Sequence, residues 1–469
     1  MAAAKTAKKN EKGIPYGARE HMPLWFPLAW SSRGVANAIN VILVGYVTYY
    51  CTDMLGLSAI IVGSMLVASK IIDAFTDLGI GYIIDRTHTK WGKARPYEFF
   101  IVFEWLITVL MFSVPNMSQT AQYIYVFIMY VLVNAVCVTA LGGADAVYMA
   151  RTFTTDGNRI MAMSVNGVVV MFCSIVFNIA LPQLMNTLGA VKEGWTQIAL
   201  LLGVPLAAIG MLRFILCKEV ITDEVAPAEK AADTKAVKSG NSFGETIGAV
   251  SKNKFLLIVV GLMIITNVMN GMGTVTTYYF KYWMGDIGLM SIASLTSLVA
   301  PVSLIFFPLL AKKFGTSRIL QACAVFGIIG MVIRTIGGPN LATIVLGGAF
   351  QGIALMPISL MINTYIIDCM DYGEWKTGVR VEGMVASIVN FSGKVGGAIA
   401  SGIVGLVMGL AGYDGSLEVQ SAGAMNAIVG LYNYLPLAMC ILMLVLSLMY
   451  QVDKIRPQME ADLKTRHEH

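Results

Sequence analysis

The chain has 469 residues, of which 57% are hydrophobic and 13% charged, with a mean hydropathy of +0.70. An average soluble domain carries roughly a quarter charged residues, so a chain of two or three water-soluble domains is excluded and an integral membrane protein is expected. The formal net charge of +5, from 33 basic and 28 acidic residues, is spread in a way that gives no nucleic-acid signal and implies no nucleic-acid partner.

The first 21 residues are polar and basic, with no apolar core or cleavage site, so no removable signal peptide is expected. Twelve hydrophobic stretches follow, at about 24–51, 58–84, 97–115, 121–149, 161–186, 195–217, 255–284, 289–311, 317–337, 340–367, 383–411 and 424–450. Each is near the ~20 residues that cross the hydrocarbon layer, and runs such as 97–115 and 195–217 hold almost no charge. Residues 218–254 form the one long polar insertion, rich in Lys, Glu, Asp and Ala. They separate an N-terminal six-helix half (1–217) from a C-terminal six-helix half with its tail (255–469). The expected fold is an all-α polytopic membrane protein of twelve transmembrane helices in two six-helix halves, the layout of major facilitator transporters, whose substrate site lies between the halves near the midplane. Gly396, Gly397, Ala398, Ala400, Ser401, Gly402 and Gly405 give span eleven a small-residue surface for close helix approach.

Charge placement orients the spans. With the N-terminus inside, 26 of the 33 Lys and Arg residues fall in the tails and in the loops of that side, Arg86, Lys90, Lys93 and Arg95 among them. Only Lys192, Lys281 and Arg334 fall on the other side. Both termini are therefore expected in the cytoplasm, in a plasma or bacterial cytoplasmic membrane. The seven cysteines show no paired spacing and read as small buried hydrophobes. No Gly-x-x-x-x-Gly-Lys-Ser/Thr loop occurs, which argues against ATP-driven transport by this chain alone.

A charge at the bilayer centre costs at least ~2.5–3.5 kcal/mol, so ionisable residues inside spans are candidates for function. Lys70, Asp73 and Asp77 are spaced i, i+3 and i+7 on one face of span two. Two carboxylates one turn apart supply hard oxygen ligands for Na⁺ or, protonated, carry H⁺, and Thr76 adds a hydroxyl beside them. The plainer alternative is a Lys70–Asp73 pair that only neutralises charge. Lys394 of span eleven, amid Asn390, Ser392 and Gly393, is placed to pair with Asp73 or Asp77, to contact substrate, or to tie two helices together. Arg33 and Asn37 in span one and Asp145 in span four complete the candidate substrate set with Asn390 and Lys394. Asp145 has the alternative role of capping a helix end. All four histidines, His21, His88, His467 and His469, lie outside the spans, so proton coupling would rest on carboxylates.

Three stretches carry a likeness to a known family. Span one ends in Tyr49-Tyr50-Cys51-Thr52-Asp53-Met54-Leu55-Gly56-Leu57. Span two holds Asp73-Ala74-Phe75-Thr76-Asp77, followed by Asp85-Arg86-Thr87 and Arg95-Pro96. Asp371-Tyr372-Gly373-Glu374-Trp375 leads through Gly378-Val379-Arg380-Val381-Glu382-Gly383 to Lys394. In this order and over nearly the whole chain, they resemble the glycoside-pentoside-hexuronide:cation symporters, the melibiose-permease-like family of the major facilitator superfamily. The resemblance implies import of a sugar or glycoside by symport with Na⁺, Li⁺ or H⁺ through alternating access. It implies Asp73 and Asp77 as cation ligands, Lys394 near both sites, and Asp85, Arg86, Asp371, Glu374 and Arg380 as a charged cytoplasmic gate. No enzymatic activity and no cofactor beyond the coupling ion are expected. The partners are a small sugar or glycoside, a monovalent cation and the bilayer. Trp30, Tyr148 and Tyr365 are candidates to stack on a sugar face, with packing the plainer reading.

Two departures bear on the substrate. Family members commonly carry Gly-Asp where this chain has Ser32-Arg33-Gly34, and Gly143-Ala144-Asp145 stands in place of the usual Asn/Asp-Ile-Pro segment. An arginine in span one matches a carboxylate bidentately, so a uronide is one expectation. Neutralisation of Arg33 by Asp145, leaving a neutral sugar as substrate, is the other. A non-transporting sugar sensor and a passive uniporter are the alternatives to symport.

Overall fold

The computed structural model describes residues 15–19, 22–220, 253–299, 301, 302, 306, 310, 313–378 and 382–467. Among these the chain is helical, with a lone bridge between Thr89 and Gly92 in place of any strand. In hydrocarbon every backbone N–H and C=O must be satisfied within its own segment, which long apolar runs achieve only as helices. Among the described residues, ten helices are long and apolar enough to cross a membrane. The expected span three does not reach that length, because its helix proper is only Phe100–Met111, entered by a 3-10 turn at Arg95–Phe99 that Pro96 initiates. The expected span eight falls partly outside the described residues, as does most of the central insertion, 221–252.

The principal helices are α1 (Trp25–Val44), α2 (Ala59–Asp85), α3 (Phe100–Met111), α4 (Gln119–Val131), α5 (Thr139–Thr152), α6 (Asp156–Thr187) and α7 (Lys192–Leu216). They continue with α8 (Lys254–Gly271), α9 (Thr316–Gly337), α10 (Leu341–Thr377), α11 (Glu382–Leu410), α12 (Ala422–Val429), α13 (Leu435–Met449) and α14 (Val452–His467). Among the described residues, four spans carry a π segment: Tyr50–Met54, Leu132–Val138, Tyr279–Trp283 and Gly430–Tyr434. A π turn widens the helix by one residue and re-aims the side chains beside it, often at functional sites.

The chain divides into two compact units, Met1–Tyr50 with Ile71–Ala232, and Cys51–Lys70 with Asp233–His469. The division runs through α2. In the first unit α1 packs against α6 and α7, and α3 against α7. Gly210 permits the approach there, since a Cβ at that position would lie 2.7 Å from Ile101 and 3.1 Å from Ala36. In the second unit α9 packs on α10 and α13, and α8 on α11. Two span-eleven glycines act as the sequence suggests. A Cβ at Gly396 would meet the Ile264 carbonyl at 2.7 Å, and one at Gly405 would meet Ala59 at 2.7 Å and Gly63 at 2.8 Å.

The polar C-terminal tail forms α14. Asp453 at its start accepts from the Ser317 amide at 2.8 Å and the Thr316 hydroxyl at 3.0 Å, and Arg456 pairs with Asp368 at 2.5 and 2.6 Å. The Trp375 indole donates to Asp462 at 2.8 Å.

Candidate functional site

The span-two carboxylates meet a hydroxyl from another helix. Asp73 is buried and Asp77 exposed on α2, and the Thr139 Oγ1 of α5 lies 3.0 Å from a carboxylate oxygen of each. The same Oγ1 is 3.2 Å from the Asn134 carbonyl, which the Leu132–Val138 π segment leaves within reach. A threonine hydroxyl has one hydrogen to donate, and here three acceptors surround it. At least two of these contacts then bring oxygen lone pairs together, an arrangement that a bound cation or a proton makes favourable. Thr76, expected beside the carboxylates, donates to its own helix at the Asp73 carbonyl, 3.0 Å away, the local back-bonding open to threonine, and its oxygen keeps the lone pairs that a cation would take.

Arg33 lies buried on α1, paired with Asp145 of α5 through Nη2. Asp145 also accepts from the Arg213 Nη2 of α7 at 2.6 Å. Glu98, fully buried in the turn before α3, stands 3.8 Å from the Arg33 Nε and 3.6 Å from the Arg213 Nε. Two guanidinium groups thus face two carboxylates in a balanced quartet. The Arg213 guanidinium also lies 3.5 Å over the Trp30 ring, whose other neighbours are Tyr148 and Phe153. Trp30, Tyr148 and Tyr365 are all fully buried in their cores, so in this structure protein atoms occupy the ring faces that the sequence offered to a sugar.

The remaining predicted residues belong to helices of both units, and each is described within its own. Asn37 is half-buried one turn beyond Arg33, and Lys394 is half-buried on α11. Arg86 is exposed, its guanidinium 4.1 Å over the Tyr82 ring. Asp371 and Glu374 share the last turns of α10, with Glu374 buried. Arg380 and the side chains of Asp85 and Asn390 lie outside the described residues.

Two polar clusters had no counterpart in the sequence reading. Arg334, counted there with the loop charges, is buried at the end of α9, where it donates to Asn433 and Gln351 at 3.1 Å and to the Tyr432 carbonyl. Asp53, noted there only within a family motif, has a fully buried side chain. It accepts from the Lys281 Nζ at 2.5 Å, the Tyr282 hydroxyl at 2.7 Å, the Tyr413 hydroxyl at 2.6 Å and the Thr52 hydroxyl at 2.8 Å. Two π segments, Tyr50–Met54 and Tyr279–Trp283, deliver four of these five residues. Asp53→Asn, which keeps the shape and removes the charge, is expected to destabilise the folded protein by on the order of 2 kcal/mol, the range of a charge-assisted hydrogen bond discounted for partial exposure of Lys281. Unfolding in a denaturing detergent would measure it. In a cycle with Lys281→Met the double variant should lose less than the sum of the singles.

A family model described as MFS/sugar transport protein matches residues 34–454. An isoprimeverose transporter from Lactiplantibacillus pentosus is 31% identical over 430 residues, covering 90% of this chain and 87% of the relative. A glucuronide carrier protein homolog from Escherichia coli (strain K12) is 24% identical over 411 residues, 84% of each chain. Among solved structures, a D-xylose-proton symporter aligns at TM-score 0.61 and 13% identity, over 89% of this chain and 96% of that one. A bacterial homolog of the human lysosomal transporter Spinster aligns at TM-score 0.64 and 13% identity, over 91% and 95%. At such identities the likeness establishes the fold.

Proposed function

Since this chain belongs to the MFS/sugar transport family, a family of membrane transporters and not of enzymes, we propose that it imports a neutral sugar or glycoside by symport with a monovalent cation bound at Asp73, Asp77 and Thr139. The observation that carries the reading is the single Thr139 hydroxyl set among three acceptor oxygens. Two carboxylates, a hydroxyl and a carbonyl are hard donors suited to Na⁺, and the same carboxylates hold a proton if H⁺ is the coupling ion. The name of the isoprimeverose relative and the family's symporters support a sugar as cargo.

Arg33, Asn37, Asp145, Asn390 and Lys394 form the proposed substrate set. Engagement of Arg33 by Asp145, itself shared with Arg213, supports a neutral sugar over a uronide, because the guanidinium is already answered by a carboxylate. In this reading the two six-helix halves, 1–217 and 255–469, alternate access around the substrate. Both termini lie in the cytoplasm, and Asp85, Arg86, Asp371, Glu374 and Arg380 serve the cytoplasmic gate. Sugar and cation favour the same occluded state, so each raises the affinity for the other.

A panel of labelled sugars in proteoliposomes with an imposed Na⁺ or pH gradient tests the reading. One sugar should accumulate under one of the two gradients, and a neutral hexose should compete better than the matching uronate. Absence of exchange would make the chain a sensor. Exchange indifferent to both gradients would make it a uniporter, and stronger competition by the uronate would overturn the neutral assignment.

A further inference from the structure

Glu104 of α3 is fully buried, and neither of its carboxyl oxygens has a hydrogen-bond partner. One turn further on, Thr108 accepts from the Asn40 amide of α1 at 2.9 Å. Glu104 is therefore level with the polar stripe Arg33, Asn37 and Asn40 that α1 presents at helical spacing. The cation whose field reaches it is Arg33, and the Cys137 thiol of the π segment is a titratable neighbour. The quartet of Arg33, Arg213, Asp145 and Glu98 is already balanced. Glu104 is the fifth member, a carboxyl with no cation left to pair with it. Ionised, it would be a buried and unpaired charge, which proteins avoid by neutralising the group.

The opposite partner is nonetheless at hand. The Arg33 Nε makes no hydrogen bond and stands 3.8 Å from Glu98, and both acids that Arg33 now faces keep a second cation in Arg213, Asp145 at 2.6 Å and Glu98 at 3.6 Å. Arg33 can leave Asp145 without stranding it, whereas Glu104 can ionise only if Arg33 comes to it.

We propose that Glu104 is a proton-binding site within the membrane, protonated in the arrangement described and deprotonated when Arg33 moves from Asp145 to Glu104. In that step the carboxyl O–H bond breaks, its electron pair stays on the carboxylate, and the proton passes to water. The physiological meaning rests on the transporter reading, because Arg33 belongs to the proposed substrate set and sugar arrival and proton release would draw on one guanidinium. The protonation does not rest on it.

Infrared spectra of the purified full-length protein at neutral pH, without sugar or gradient, keep the two apart. The wild type should show a protonated-carboxyl C=O band that Glu104→Gln abolishes and that Glu104→Asp retains at a shifted position. Asp145→Asn should also abolish the band, although Glu104 is intact, because it frees Arg33. The amide bands of the same spectra report whether each variant keeps its helices. A wild-type band untouched by both Glu104 substitutions would overturn the site, and a band that survives in Asp145→Asn would overturn the switch. A fixed, purely structural protonated Glu104 gives that last result.

Discussion

Asp77→Asn is expected to abolish gradient-driven sugar accumulation while leaving membrane insertion and sugar exchange down a concentration gradient in place. The substitution preserves the shape of the side chain and replaces a carboxylate oxygen that faces the Thr139 hydroxyl at 3.0 Å by an uncharged amide. Loss of a charge-assisted ligand of ~1.5–3 kcal/mol corresponds to a fall of about 10- to 150-fold in cation affinity. That is enough to uncouple the cation from the sugar at ordinary gradients, since coupling is no larger than the cation's differential affinity for the two states. The same geometry ranks the neighbouring hydroxyls. Thr139→Ala removes the group common to both carboxylates and should lower coupling severalfold, whereas Thr76→Ala removes a hydroxyl whose hydrogen goes to its own helix and should lower coupling less. Uptake of labelled sugar into vesicles under an imposed gradient, beside counterflow without one, measures all three. Full accumulation by Asp77→Asn would remove the carboxylate from the cation site.

The reason Thr139 was invisible in the sequence is local. Asp73 and Asp77 announce themselves because one α-helical turn separates them, and the helix built on them is regular. Thr139 comes from a different helix and is aimed by the π segment at Leu132–Val138, for which no periodicity rule gives a register. The same holds for Asp53 with Lys281 and for Arg334 with Asn433, each assembled at the end of a π segment. Thr76 sits at the spacing that the sequence shows, and what the structure adds is only where its hydroxyl hydrogen goes, to its own backbone.

The long apolar runs were legible because the bilayer demands ~20 residues of helix whatever surrounds them. Averaging over those runs is also what hid Glu98 and Glu104 in 97–115 and Arg213 in 195–217. Each is a single charge whose cost is swamped by fifteen or so apolar neighbours, yet each is fully or almost fully buried. Counting intramembrane charges one residue at a time would have found all three. Their pairing would not have followed, since Glu98, Asp145 and Arg213 come from three elements far apart in the chain. The balance between Arg33 and Asp145, one of the two expectations raised by the departures from the family pattern, needed the structure to show that Arg213 shares the same acid.

That sharing sets the second large effect. Arg213→Ala is expected to destabilise the folded protein by about 3–5 kcal/mol, the usual consequence of removing one partner of a buried ion pair and leaving the other charged. Arg213 is nearly inaccessible, bonds Asp145 at 2.6 Å, stands 3.6 Å from Glu98 and covers the Trp30 ring at 3.5 Å. Its loss leaves Glu98 and Asp145 to share Arg33 alone and opens a cavity against Trp30. Arg213→Lys keeps the charge, but a point-like ammonium lacks the planar fork that stacks on Trp30 while bonding Asp145, so it should recover only part of the loss. The informative variant is Arg213→Met combined with Glu98→Gln, which removes one charge of each sign and restores some of the packing. It should be more stable than Arg213→Ala, because the penalty lies in the stranded acid and not in the missing pair. Unfolding midpoints of the purified protein in a denaturing detergent would rank the three. If Arg213→Ala unfolds with the wild type, the quartet contributes nothing to the first unit and Arg213 is there only for transport.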